Sequence, residues 1–263
     1  MNMSKILVLG SSGFIGKCLV EELGGTPITR KEVDLLDINS VKQLIKNHKP
    51  DVVINCATNS DVTMTSFNNK AFIENVSIFR NLYRIKEEVN KIICFGSGAE
   101  FNRSYSIDSA KEQSVFSTLP KDHYGLSKNI IARSIQRDNS NLYNLRLFGC
   151  FHQSESETRL LKQVLTGGLT ISDRYFDYFW LNDLLSVVKY YIENENLPKD
   201  INLVYNNKIT IEKFINLFAE IKGIKLNYSA NKSDKNYTGC SDKLYSLNIE
   251  LKGIKAGLEK YEI

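Results

Sequence analysis

Gly10, Gly13 and Gly16 lie between an unbroken apolar run, Ile6–Leu9, and a stretch, Phe14–Leu23, whose apolar residues recur at helical spacing. A strand that ends in a glycine turn and feeds straight into an amphipathic helix permits few folds. The first glycine allows the tight turn, and the third lets helix and strand pack closely. The second lets backbone N–H groups approach a pyrophosphate, to which the helix N-terminus adds unpaired donors and a positive dipole end. Gly10, Ser12, Gly13, Phe14, Ile15 and Gly16 therefore form a candidate dinucleotide cradle. Stripped of its flanks, the same pattern would read equally well as a structural turn.

The rest of the chain extends this beginning. The pattern predicts a strand at 27–29 and a helix that Asn39 or Ser40 can cap, with Val41, Leu44 and Ile45 on its apolar face, ending before Pro50. A buried strand is expected at 51–57, a helix over 70–89, a strand at 91–96, a helix over 124–137 and a strand at 142–148. Continuous apolar strands alternating with helices indicate an α/β protein, a Rossmann-type doubly wound parallel sheet covered on both faces. Beyond residue 150 the alternation weakens, with helical pieces at 159–165, Leu181–Glu193 and 211–221. The expected organisation is a dinucleotide-binding domain over 1–150 and a small α/β substrate-binding part over 151–263, from which 177–205 returns to the sheet.

Charge and cysteine usage narrow the function classes. A net charge of +4 on 263 residues, with no basic block, argues against nucleic acid as a partner. No apolar stretch approaches the ~20 residues that cross a bilayer. The run Ile6–Leu9 leads into a glycine turn and not a cleavage site, so it does not read as a signal peptide. Five scattered cysteines with no metal-ligand spacing predict no metal site and a reducing compartment. A cytoplasmic enzyme is expected.

Two further patterns carry chemistry. The second strand ends in Thr29-Arg30-Lys31, with no carboxylate until Glu32. NAD sites usually place an acid there for the ribose hydroxyls, whereas a guanidinium beside a lysine suits a 2′-phosphate. NADP(H) is expected ahead of NAD, although two solvated charges at a strand end would look the same. Tyr124 and Lys128 stand four residues apart on one face of a predicted helix. An ammonium near a phenol, whose pKa is ordinarily about 10, favours the phenolate and so brings proton transfer into reach. Ser97, at the end of the strand at 91–96, completes a candidate catalytic group by holding a substrate carbonyl beside Tyr124.

Together, G-x-x-G-x-x-G with Gly13-Phe-Ile-Gly16, Tyr124-Gly-Leu-Ser-Lys128 and Ser97 resemble the extended short-chain dehydrogenase/reductases, the NAD-dependent epimerase/dehydratase family. Glu74-Asn-Val, Asn144-Leu-Arg-Leu-Phe-Gly, the segment from Phe176 to Asp183 and Ser241-Asp-Lys-Leu are similar to later family motifs, so the resemblance spans nearly the whole chain. The Thr-Arg-Lys strand end and Asp34-Leu-Leu-Asp37 are nearest to the nucleotide-sugar 4-ketoreductases and GDP-fucose synthase. The resemblance implies that Asp34 and Leu35 border the adenine and that Cys56 and Ala57 lie beside the cofactor. It also implies that Tyr124 and Lys128 touch the cofactor, that Ser97 and Gly98 touch the substrate, and that the protein is a homodimer through helices 70–89 and 124–137.

The departures from the family are informative. The Asp-Glu pair that dehydratases use for elimination is Gly98-Ala99 here, with Glu100 displaced by one residue. The cysteine and histidine with which GDP-fucose synthase epimerises fall at Ala99 and near Leu165, and His152 lies some residues away. The family Asn is Gly149, and the Arg that contacts a substrate diphosphate is Phe176, leaving Arg174 and Arg159 as candidates for that task. Ser97, Tyr124 and Lys128 remain, a set that suffices for hydride transfer. The expected activity is NADPH-dependent reduction of the C4 ketone of a nucleotide-activated 6-deoxy sugar. A 4-epimerase retaining NAD and a non-catalytic NADP-binding protein on the same fold stay open.

Overall fold

The computed structural model describes residues 4–60 and 69–263. β1 (Ile6–Leu9) passes through the glycine turn into α1 (Phe14–Leu23), followed by β2 (Thr26–Ile28), α2 (Ile38–His48) and β3 (Val52–Asn55). α3 (Lys70–Arg84), β4 (Lys91–Ser97), a short β5 (Ile107–Ala110), α4 (His123–Arg137) and β6 (Leu142–Leu147) continue the alternation. The second half holds β7 (Gly149–Phe151), α5 (Leu160–Thr166), β8 (Leu169–Asp173), β9 (Tyr178–Trp180), α6 (Leu181–Glu193) and β10 (Asp200–Leu203). It closes with α7 (Ile211–Lys222), β11 (Tyr228–Lys232), β12 (Tyr237–Gly239), α8 (Asp242–Ser246) and α9 (Gly253–Lys260).

The main sheet runs β10-β6-β4-β3-β1-β2, and every neighbouring pair is parallel. Its order reverses at β1, where the chain goes out to β2 and returns past β1 to β3. In such sheets the crevice beyond the carboxyl ends of the two diverging strands receives the ligand. Alternate residues serve opposite faces, as the strand period demands. Leu7, Leu9, Val53 and Ile92 pack with Val41, Leu44 and Ile45 of α2, Leu82 of α3 and Ile131 of α4. Val8, Ile54, Ile93 and Phe95 pack on the other side with Leu19 of α1 and Leu184, Val187 and Val188 of α6. A further core gathers around Phe151, Tyr178, Trp180, Phe214 and Phe218.

Three local expectations are corrected. β2 begins and ends one residue early, so Thr29 lies in the turn and not in the strand. The cap of α2 is neither Asn39 nor Ser40 but Asp37, whose carboxylate accepts the N–H groups of both, at 3.2 and 2.9 Å. A capping oxygen must precede the first turn to reach its free amides, so Asn39 and Ser40 are donors inside that turn. The helix expected over 70–89 stops at Arg84, and Lys86–Glu88 forms a separate 3₁₀ turn. That break seats Ile85 in the core and Lys86 against Asp138 at 2.6 Å.

A buried ion-pair network crosses the sheet. Arg146 of β6 is fully buried; its Nε donates to Glu100 and its Nη2 to Asp200 of β10, each at 2.6 Å, while Nη1 donates to Asn202 at 2.8 Å. Burial works to lower the Arg146 pKa, but the charges of Asp200 and Glu100 outweigh it and hold the guanidinium protonated. Asn144 donates to the second oxygen of Asp200 at 2.8 Å. Removing one member of such a set leaves the others buried and unpaired, which costs roughly 3–5 kcal/mol. Arg146→Met is therefore expected to lower unfolding stability by about 3–5 kcal/mol in urea titration; an unchanged midpoint would contradict this.

Candidate active site

The glycine turn has the geometry of an anion cradle. Gly10 adopts φ +71°, and a Cβ there would stand 2.6 Å from the Ala57 nitrogen, so the turn and the segment after β3 close on each other. A Cβ on Gly16 would stand 2.4 Å from the Gly10 carbonyl oxygen, the close helix–strand approach that only glycine permits. Gly13 caps α1 with no side-chain hydrogen bond. Lys17 N–H is the first bonded back, to the Gly13 carbonyl at 2.9 Å, so the amides of Phe14, Ile15 and Gly16 precede the first helical bond. Ser12 is exposed beside them. Ser11, which no motif singled out, buries a hydroxyl that lacks a partner. Uncapped amides and an orphaned buried hydroxyl fit the pyrophosphate of a dinucleotide.

The end of β2 distinguishes the two nicotinamide cofactors. Arg30 and Lys31 are exposed there. Glu32 bends back onto Thr29, accepting its N–H at 2.7 Å and its hydroxyl; these hydrogen bonds hold the carboxyl below its ordinary range. The carboxylate is thus engaged within the turn, and the cations face outward. Asp34 is exposed and accepts the Leu36 N–H at 2.9 Å, while the Leu35 carbonyl accepts from Asn81. Cys56 and Ala57 lie at the mouth of the crevice, where burial pushes the Cys56 thiol up despite the nearby Lys128 charge.

Ser97 and the helix that bears Tyr124 and Lys128 are held side by side because β4 and its following turn are locked to α4. Ser97 ends β4 and caps the single turn Gly98–Phe101: its hydroxyl accepts the Ala99 N–H at 3.2 Å, and its own N–H donates to Glu100 at 2.8 Å. Asn129 of α4 donates to the Glu100 carbonyl at 2.8 Å. Gly125 lets the helix reach the turn, since a Cβ there would stand 2.7 Å from the Ala99 carbonyl oxygen. Lys128 is buried, donates to the Phe95 carbonyl at 2.8 Å and sets its ammonium 6.0 Å from the Tyr124 ring centre. A second cation, Arg103, stands 5.9 Å from the same ring and is held at 2.8 Å by Asp122, the residue that caps α4.

Beside Ser97 lies a cavity of about 610 Å³ lined by Ser97, Arg103, Tyr105, Phe148, Arg174, Phe176, Lys235, Asn236 and Tyr237. Among the described residues its lining carries three cationic side chains and no carboxylate. Arg174 enters it with a buried Nε that has no partner and a guanidinium 5.8 Å from the Phe176 ring. A second cavity of about 500 Å³ shares Phe148 and Phe176 with the first and is lined also by Glu155, Thr158, Arg159 and Tyr178. Arg159 is thus drawn away from Arg174, and its Nη2 donates to the Cys150 carbonyl at 2.5 Å. Gly98, expected at the substrate, is buried instead under Phe148 and Tyr237, whose rings would stand 2.4 and 2.7 Å from a Cβ at that position.

The family departures acquire physical meaning here. A Cβ on Gly149 would meet Phe176 at 2.6 Å, so the glycine and the phenylalanine at the two divergent positions fit each other. Glu100 is spent on Arg146 and on the Ser97 N–H, fully buried, and cannot serve as an elimination acid. His152 bonds Ser154, and its nearest charges are Glu21 and Glu22; neither cavity includes it. Arg103, Lys235 and Tyr237 belong to the site although no motif announced them. Arg103 and Lys235 come from irregular segments, and Tyr237 from a three-residue strand too short to show a period.

Among the described residues, no helix is long and apolar enough to cross a membrane, and no cluster of His, Cys, Asp and Glu could hold a metal ion. The model of the NAD dependent epimerase/dehydratase family matches residues 6–203. GDP-L-colitose synthase of Yersinia pseudotuberculosis is 24% identical over 87% of this chain and 85% of its own. GDP-mannoheptose C4 reductase from Campylobacter jejuni, solved with NADP bound, superposes with a TM-score of 0.83 at 20% identity, covering 99% of this chain and 98% of that one. dTDP-4-dehydrorhamnose reductase from Bacillus anthracis, in complex with NADP, reaches a TM-score of 0.84 at 17% identity over the same shares. Identities this low speak for the fold alone, but a family match across most of the chain goes further: this protein belongs to the NAD dependent epimerase/dehydratase family.

Proposed function

We propose that the protein reduces the C4 ketone of a nucleotide-activated 6-deoxy sugar with NADPH. The observation that carries this reading is Ser97 in the cavity lining, beside the helix that bears Tyr124 and Lys128, with the adjacent Glu100 locked to Arg146. Water elimination and epimerisation beside a ketone need a further acid and base; carbonyl reduction does not. The relatives named above are by name GDP- or dTDP-sugar enzymes, and two of them are solved with NADP.

Bound NADPH supplies the hydride that reaches C4. Ser97 holds the ketone oxygen by a hydrogen bond, and the Tyr124 hydroxyl gives that oxygen its proton as the C–H bond forms. Lys128, anchored by the Phe95 carbonyl, keeps two N–H donors and its charge beside Tyr124, and Arg103 adds a second positive field. Arg174, Lys235 and Arg103 suit the diphosphate, while Phe148, Phe176 and Tyr237 give the sugar an apolar wall suited to a C6 methyl group. The adjoining aromatic cavity, with Glu155, Thr158 and Arg159, suits the nucleobase. An epimerase that retains NAD would use the same three catalytic residues, but the exposed Arg30 and Lys31 and the turned-back Glu32 favour the 2′-phosphate.

The test is NADPH oxidation with 4-keto-6-deoxy sugars carrying GDP, CDP, UDP or dTDP. Turnover with one nucleotide, faster with NADPH than with NADH, is expected; no oxidation with any of them overturns the reading. Tyr124→Phe should lower kcat by roughly 10²–10⁴-fold, the weight of a positioned proton donor, without weakening NADPH binding. Arg30→Ala should raise the KM for NADPH by about tenfold or more, the weight of a charge-assisted hydrogen bond, and leave that for NADH unchanged. Equal effects on both cofactors would remove Arg30 from the 2′-phosphate.

A further inference from the structure

A serine hydroxyl has one proton to give and two lone pairs to fill. At Ser97 the Ala99 N–H fills one of them, at 3.2 Å, in closing the turn after β4. Tyr237, delivered by β12 from the far end of the chain, stands beside it and is only 8% exposed. Its ring is clamped edge-on against Phe148 and tilted against Phe176, each at 5.1 Å. Its backbone is fixed as well: the N–H donates to the Tyr175 carbonyl at 2.9 Å, and the carbonyl accepts the Asp177 N–H at 3.2 Å. The ring carbon that bears the hydroxyl lies 2.7 Å from where a Cβ on Gly98 would stand, so glycine next to Ser97 is what admits the phenol. Tyr237 and Ser97 line the same cavity, which sets the phenol next to the serine. Burial pushes the phenol's pKa up, so it stands as a neutral O–H beside the serine.

We propose that Tyr237 is a positioning residue for the reduction: its O–H and the Ala99 N–H fill both lone pairs of Ser97, which leaves the Ser97 proton to the ketone oxygen. The inference rests on the ketoreductase reading and deepens it. A hydroxyl free to rotate spends part of its time with a lone pair toward the ketone, which repels it. One saturated from behind is a donor at all times, and a preoriented donor needs no reorganisation during the reaction. The third aromatic of the cavity wall thereby acquires a task that packing alone would not give it.

Tyr237→Phe keeps the ring and its contacts with Phe148 and Phe176 and removes only the O–H, so it separates the two roles. Its kcat should fall roughly five- to tenfold, the weight of one neutral hydrogen bond, with the Kd for NADPH and the Tm at wild-type values. In a Ser97→Ala background the same substitution should change kcat less than twofold, because the hydroxyl it orients is gone. No loss in the single variant, or an equal loss in both backgrounds, overturns the role of Tyr237 while an active wild type leaves the ketoreductase reading standing. A wild type that reduces no 4-keto nucleotide sugar overturns that reading, and the role of Tyr237 with it.

Discussion

Arg146 is the constraint on which the site depends. A guanidinium with no solvent contact must have its charge answered inside the protein, and it is answered by two carboxylates from different parts of the chain, Glu100 and Asp200. Asp200 draws β10 against β6 as the sheet edge. Glu100 divides its two oxygens between Arg146 and the Ser97 N–H, so the turn that presents the Ser97 hydroxyl is set by the sheet's own ion pair. Asn202, a third partner, donates to the carbonyls of Ala110, which ends β5, and Cys240, which follows β12. One buried charge thus connects Ser97 to the segment that carries Tyr237.

This arrangement also limits the chemistry. A carboxylate near Ser97 could act as an acid or a base if it were free, and family dehydratases keep one there. Here the displaced carboxylate is structural, and burial raises its pKa against the pull of Arg146. What faces the cavity is one serine, two phenols, three cations (Arg103, Arg174 and Lys235) and the amide of Asn236. Such a set can hold an oxygen, protonate it and bind an anion. Asp177 plays a part parallel to that of Glu100: it pairs with Lys208 at 2.8 Å and accepts the Gly239 N–H at 2.8 Å, which pins β12 beside the site.

The parts legible in the sequence are those governed by local rules. β1 and α1 fall where the apolar run and the helical spacing put them, and so does α6. Tyr124 and Lys128 fall on one helix and Ser97 at the end of β4 because a four-residue helical spacing and a strand end are both local facts. Asp37 escaped as a cap because Asn39 and Ser40 are equally good capping types, and only the backbone decides which precedes the first turn. Arg103, Lys235 and Tyr237 were invisible for another reason. Arg103 and Lys235 reach the cavity from irregular segments and Tyr237 from a strand of three residues, and partners distant in sequence fix two of them: Asp122 for Arg103, and Phe148, Phe176 and Gly98 for Tyr237. Gly98 itself was assigned to the substrate, but its missing Cβ makes room for protein rings. Arg174 and Arg159 look alike in the sequence, and packing sends them to different cavities.

The most direct test of the central claim follows the hydride itself. NADPH deuterated at both nicotinamide C4 positions is turned over with a 4-keto-6-deoxy nucleotide sugar, and the product is read by NMR. One deuteron on C4 of the sugar, with C3 and C5 unlabelled, is the expected result. A product without deuterium at C4, or one that takes hydrogen from solvent at C3 or C5, would contradict a simple C4 reduction by Ser97, Tyr124 and Lys128.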